Sequence, residues 1–204
     1  MTYTKGRIVN DADSHTMETQ DWLAAHLEGE YKEMYSQVYS KREGGDRIVK
    51  MIDAAKARKN DPEARAKALE NPIEGAKGWL GYGGFDKDER VEALDWLGFN
   101  SLGEFPTFGL RAITKATDND QRYAAATALN QAQQDFCDAD ARMACVAFAP
   151  LDDPDRALAE AKRAIGAGAK AVMFSAGPAG DKSPGHPDLD PFWQFLQDSR
   201  IPFM

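Results

Sequence analysis

The sequence predicts an α/β fold of parallel βα units: a (β/α)8 TIM barrel of which the chain holds the N-terminal strands, with a helical insertion after strand 1. Three observations point there. Short apolar runs such as ACVAFA and AVMF alternate with amphipathic stretches of roughly 10 to 20 residues, as strands joined by crossover helices do. Those runs are almost continuously apolar, as in strands covered on both faces. The polar cluster Asp11, Asp13 and His15 stands at the C-terminal end of the first strand, where barrels place their chemistry. A doubly wound sheet shares the local pattern. However, the glycine-rich turn IGAGAK follows a helix and precedes a strand, whereas a phosphate-binding loop needs the reverse order. A helix C-cap explains this turn.

The elements follow in order. RIVNDADSH opens with a short apolar strand that runs straight into polar residues. Next, Trp22, Leu23 and Leu27, then Tyr31, Met34, Tyr35, Val38 and Tyr39, recur at helical spacings. Breaks are expected at Gly44-Gly45, at Asn71-Pro72 and through GWLGYGGFD. Residues 16–87 therefore read as a helical insertion on the catalytic face, within one barrel domain that takes in 1–204. DERVEALDWLGF is a helix closed near Gly98, and SLGEFPTF a strand. A long helix follows, capped by Asp118 or Asp120. RMACVAFAPL, DPDRALAEAKRAIGAGA, KAVMFSA and LDPFWQFLQDSR then alternate strand and helix, and IPFM begins a fifth strand. Five strands, against the eight strands and about 250 residues of a full barrel, imply an N-terminal portion.

Composition narrows the function. With 204 residues and 43% hydrophobic residues, the chain can bury a core. No apolar run approaches the ~20 residues that cross a bilayer, and the N-terminus lacks a secretory signal pattern. Cys137 and Cys145 form neither a disulfide framework nor a zinc spacing, so a cytoplasmic location is expected. The formal charge of -8, without a dense Lys/Arg stripe, argues against nucleic acid as a partner. A small-molecule substrate is the expected partner, without membrane association.

Residues two apart on a strand share a side, so Asp11, Asp13 and His15 can face one space. A carboxylate beside an imidazole suits Zn2+ first and Mn2+ second. A capping aspartate and a solvated histidine are the plainer alternative. His186, in the loop SAGPAGDKSPGHPDLD after the fourth strand, is the catalytic candidate, placed to touch substrate or donate a proton, or else an ordinary loop histidine. Arg111 can grip a substrate carboxylate bidentately or lie in solvent. Phe105 and Thr107, with Phe108, should flank the pocket mouth. His26 and Asn130, both within helical patterns, read as structural. Trp22, Tyr35, Tyr39, Trp79, Tyr82 and Phe85 make a lid, a homodimer contact or, more simply, core packing within the insertion.

RIVNDADSH, together with the LGF-to-FPTF strand, NQAQQDFCDADARMACVAFAPLDDPDRALAEAKRAI and SPGHPDLDPFWQFLQDSRIPFM, resembles the amidohydrolase-related family. This branch of the amidohydrolase superfamily includes aminocarboxymuconate-semialdehyde decarboxylase and the resorcylate-type decarboxylases. The resemblance implies a distorted TIM barrel with one divalent metal ion at its C-terminal rim. It makes Asp13 and His15 the two ligands of the first strand, with Asp13 standing where histidine is common. It also implies a third ligand, a histidine after the fifth strand, and a proton-handling aspartate from the eighth, both beyond Met204. The implied activity is a metal-dependent hydrolase or a non-oxidative carboxy-lyase acting on a small carboxylated, aromatic or cyclic compound. The alternative is a non-catalytic half-barrel that binds a ligand or partner through an incomplete metal site.

Overall fold

A computed structural model describes residues 2–36 and 45–204. Among these, four parallel strands form a single sheet in sequence order: β1 (Asn10–Thr16), β2 (Ser101–Pro106), β3 (Met143–Phe148) and β4 (Ala171–Met173). Neighbouring strands in chain order, each joined to the next by a helical crossover, are the arrangement of a TIM barrel wall. Ile201–Met204 continues the wall. Val172 N–H donates to the Pro202 carbonyl at 3.0 Å, and Met204 N–H donates to that of Val172 at 3.0 Å.

Between β1 and β2 lie α1 (Gly29–Tyr35), α2 (Gly45–Arg58), α3 (Pro62–Glu70) and α4 (Lys87–Leu97). The short α5 (Leu110–Thr114) and long α6 (Asn119–Cys137) lead to β3, α7 (Pro154–Ala167) to β4, and α8 (Asp190–Ser199) to the final segment. Aspartate caps set four of these starts. Asp61, Asp86, Asp118 and Asp153 each accept from main-chain amides of the first turn of α3, α4, α6 and α7. Proline at the start of α3 and α7 adds a preset φ. The predicted break at Asn71-Pro72 is the end of α3, and IGAGAK is a helix terminus with Gly168 at φ 121°. The expected break at Gly44 and the aromatic Tyr39 lie outside the described residues.

Helix α4 ends on Gly98, in the left-handed region at φ 79°. A Cβ there would stand 2.6 Å from Thr4 Oγ1 and 2.7 Å from Thr2 Cβ. Gly98→Ala is therefore expected to cost about 1–3 kcal/mol. Urea unfolding reads this, and a loss below about 0.5 kcal/mol contradicts it.

The core lies between the sheet and the helices outside it. Leu102, Met143, Cys145 and Ala147 pack against Leu94 of α4, Phe136 and Cys137 of α6 and Ala164 of α7. Beside them, Val172 meets Ala157 and Ala161 of α7 and Phe192 and Leu196 of α8. The insertion joins this core through Leu23, Leu27 and Tyr35, which pack on Ala125, Ala126 and Leu129 of α6. Tyr35 and Trp79 are buried, Trp22 leans on Phe136, and Phe85 packs near Ile52 and Trp79. Tyr82 bonds with Arg65 and Glu92.

Two boundaries differ from the sequence reading. β1 covers the polar run NDADSHT rather than the apolar residues before it, and Ile8 is 81% exposed. Lys5 and Gly6, at φ 52° and 79°, turn the chain immediately before that segment. The second difference is a bulge. Asp11 pairs with Leu102 but Ser14 with Glu104, so β1 carries one extra residue between them.

Candidate metal centre

That bulge decides which polar side chains meet. Paired residues of parallel strands share a face, so Ser14 lies with Glu104 on the helix side and His15 with Phe105 on the opposite side. Asp13 stays with His15: its Oδ1 is 3.3 Å from His15 Nε2. Asp11, which strict alternation would put beside them, instead accepts the Asp13 N–H at 2.9 Å. It braces the bulge.

The other nitrogen of His15 is also engaged. Nδ1 is 3.2 Å from Thr107 Oγ1, and the imidazole lies 5.8 Å from the Phe105 ring, tilted by 33°. Four of the predicted residues, Asp13, His15, Phe105 and Thr107, are thus gathered at the ends of β1 and β2. Arg111 and His186 are not joined to them by hydrogen bonds among the described residues. Arg111 is exposed on α5. His186 caps the turn before α8, its Nδ1 accepting from Asp188 N–H at 3.2 Å. His26 pairs with Asp135 at 3.4 Å, in keeping with a structural role.

The sequence reading overlooked a layer of buried charge under this pair. Glu104 is fully buried on the helix side of β2. Its carboxylate pairs with Arg90 of α4 and accepts from Ser14 Oγ at 3.3 Å and Thr16 Oγ1 at 3.2 Å. Arg90 spends its other donors on Gly83 O at 2.7 Å, Ser14 Oγ at 2.6 Å and, through Nη2, the His15 carbonyl at 2.9 Å. Burial pushes the Glu104 carboxyl above its ordinary range, while Arg90, Thr16 and Ser14 pull it down.

Glu18 is the second buried acid, 1% exposed. It accepts from three successive amides: Thr107 N and Phe108 N at 2.8 Å and Gly109 N at 3.1 Å. Its own carbonyl accepts from Trp79 Nε1 at 3.0 Å, and Trp79 stacks on Phe108 at 4.7 Å. Burial raises this carboxyl too, against the pull of those amides. A sign of Glu104 was present in the sequence: an acid sits between Leu102 and Pro106 on the buried alternation of β2. For Glu18 and Arg90 the signal is long-range and has no local pattern.

Asp13 and His15 fit a divalent ion. Two donors about 2.0–2.1 Å from a tetrahedral zinc ion stand roughly 3.3 Å apart, which is their separation here. A hydrogen-bonded Nδ1 leaves Nε2 as the coordinating nitrogen, the usual arrangement for a ligand histidine. Among the described residues no group of three or more His, Cys, Asp or Glu is placed to hold a metal, so this is a two-donor edge.

No curated protein matches the chain. Among solved structures, an amidohydrolase from Mycobacterium avium subsp. paratuberculosis K-10 is 18% identical and superposes with a TM-score of 0.62 over 97% of this chain. The match takes in 58% of that protein, so the chain spans somewhat over half its relative's length. No described helix is long and apolar enough to cross a membrane. The family model for amidohydrolases matches residues 79–204, well over half of the sequence, and the chain belongs to the amidohydrolase family.

Proposed function

We propose that the whole protein is a metal-dependent enzyme, a hydrolase or non-oxidative carboxy-lyase, acting on a small carboxylated and cyclic compound. The observation that carries this reading is the Asp13–His15 pair, set at a ligand-to-ligand distance with its imidazole oriented by Thr107. Asp13 and His15 would hold one divalent ion, Zn2+ before Mn2+, together with a histidine that the family resemblance expects beyond Met204. Such an ion supplies Lewis-acid chemistry: it acidifies a water and polarises a substrate carbonyl or carboxylate oxygen. The chain's own residues do the placing. Phe105 offers a ring face beside His15 for a flat substrate, and Thr107 fixes the imidazole. Arg111 on α5 and His186 in the loop after β4 lie in the segments that follow β2 and β4, where a substrate carboxylate would be met.

Metal content of the full-length protein tests the site. Wild type is expected to hold about one ion per chain, and the Asp13→Ala, His15→Ala double variant at least about tenfold less. Unchanged content sinks the assignment. A panel of aromatic carboxylates assayed for CO2 release, beside esters, amides and lactones assayed for hydrolysis, separates the two chemistries.

A further inference from the structure

We infer that Glu18 is a positioning residue for His15: by clamping the loop after β2 it holds Thr107 Oγ1 where it fixes the imidazole for metal binding. This rests on the metal reading above. The loop Thr107–Gly109 leaves β2 and leads into α5, so its amides have no helical carbonyl to bond. Ordinarily a nearby Ser, Thr, Asp or Asn supplies the cap, yet α5 has no side-chain cap of its own kind at Gly109. Glu18, 89 residues earlier than Thr107, supplies it instead and bonds all three amides. No room is left for drift. A Cβ on Gly109 would stand 2.4 Å from Leu129 Cδ1 and 3.1 Å from Glu18 Oε1, so the loop is pressed between the acid and α6.

The consequence falls on one hydroxyl. Thr107 is the first residue of the clamped loop, and its Oγ1 meets His15 Nδ1 at 3.2 Å. Bonded to Nδ1, it fixes the ring so that Nε2 faces Asp13. Glu18 also follows His15 by three residues, so it ties the end of β1 to the loop of β2 directly. Loss of the clamp should leave the strand in place and release the hydroxyl.

The test uses the full-length protein and two readouts, Zn2+ affinity and the 15N spectrum of the His15 imidazole without metal. The latter is assigned through its loss in His15→Ala. Without metal, wild type is expected with Nε2–H toward Asp13 and the Thr107 hydroxyl bonded to Nδ1. Glu18→Gln and Thr107→Val should each move the Nδ1 15N signal as that bond is lost and weaken Zn2+ binding about 10–100-fold. Thr107→Ser should restore both. Because the two residues act in series, the Glu18→Gln, Thr107→Val double variant should bind no more weakly than the worse single variant. Multiplying effects, or an unmoved Nδ1 signal in Glu18→Gln, overturn the inference. If Glu18→Gln does not fold, Glu18→Asp carries the same comparison, since the shorter carboxylate cannot span all three amides. Zn2+ binding that ignores the Asp13→Ala, His15→Ala exchange overturns the metal reading instead. The Nδ1 comparison, made without metal, still decides the role of Glu18.

Discussion

Arg90→Met is expected to destabilise the fold by about 3–5 kcal/mol, because it strands a fully buried carboxylate without its counter-charge. Methionine fills much of the space of the arginine stem but donates nothing. Glu104 keeps its bonds from Ser14 and Thr16, while the Gly83 and His15 carbonyls lose theirs from Arg90. Removing both charges should cost far less. Arg90→Met with Glu104→Leu leaves an apolar contact beside Phe136, and most of the stability is expected to return. Denaturant unfolding at a constant m-value measures each variant, and a single-variant loss below about 1 kcal/mol refutes the assignment.

The same variant has a pH signature whose sign follows from burial. Glu104 has its folded-state pKa raised above the ordinary value of 4.5, so the folded chain holds its proton more tightly than the unfolded chain does. A raised acid favours folding fully below the unfolded value, and that contribution is lost as pH rises through the folded value. Without Arg90 the raising is greater. The gap between Arg90→Met and wild type should therefore be small near pH 4.5 and widen toward neutrality. Asp86, Glu92 and Asp140, whose carboxyls are held below their ordinary values, act in the opposite sense in both proteins and cancel in the difference.

Residues that act locally were legible in the sequence. The caps Asp118 and Gly98 and the helix ends rest on contacts within a few positions and stand where propensity put them, while the order of strands follows from the alternation of strand and helix along the chain. The pair Asp13–His15, with Phe105 and Thr107, was legible because strand periodicity and barrel topology place strand ends together. Strict alternation would set Asp11 beside the pair, but a bulge adds a residue without changing the apolar pattern, and Asp11 supports the pair by bracing it. The start of β1 was misplaced for a related reason: a strand bordering a polar site need not be apolar, so NDADSHT carries no hydrophobic signal. Glu18, Arg90 and Glu104 find partners across as many as 91 positions, and no local rule reaches that far.

Asn130 makes the last case, since a helix-interior asparagine looked like ordinary packing and instead completes a strand. The β2–β3 ladder stops at Glu104 and Cys145, three residues short of Phe148. There the Asn130 amide stands in for the missing strand: its Oδ1 accepts the Phe148 N–H at 2.7 Å, and its Nδ2 donates to the Phe148 carbonyl at 2.8 Å. Nδ2 also donates to Glu160 at 2.7 Å, tying α6 to α7. Asn130→Leu keeps the branched shape but orphans a buried N–H and C=O together, at an expected cost of about 2–5 kcal/mol. Asn130→Asp is the sharper probe. It keeps the acceptor for Phe148 N–H but cannot donate to the carbonyl, and it sets a second carboxylate beside Glu160. It should therefore be no more stable than Asn130→Leu. An Asn130→Asp variant as stable as wild type shows that the amide is not pairing both groups. The sheet edge at Phe148 would then need another support, because the β3 rim lines a cavity of about 200 Å³ with Ile113, Pro150 and Ser175.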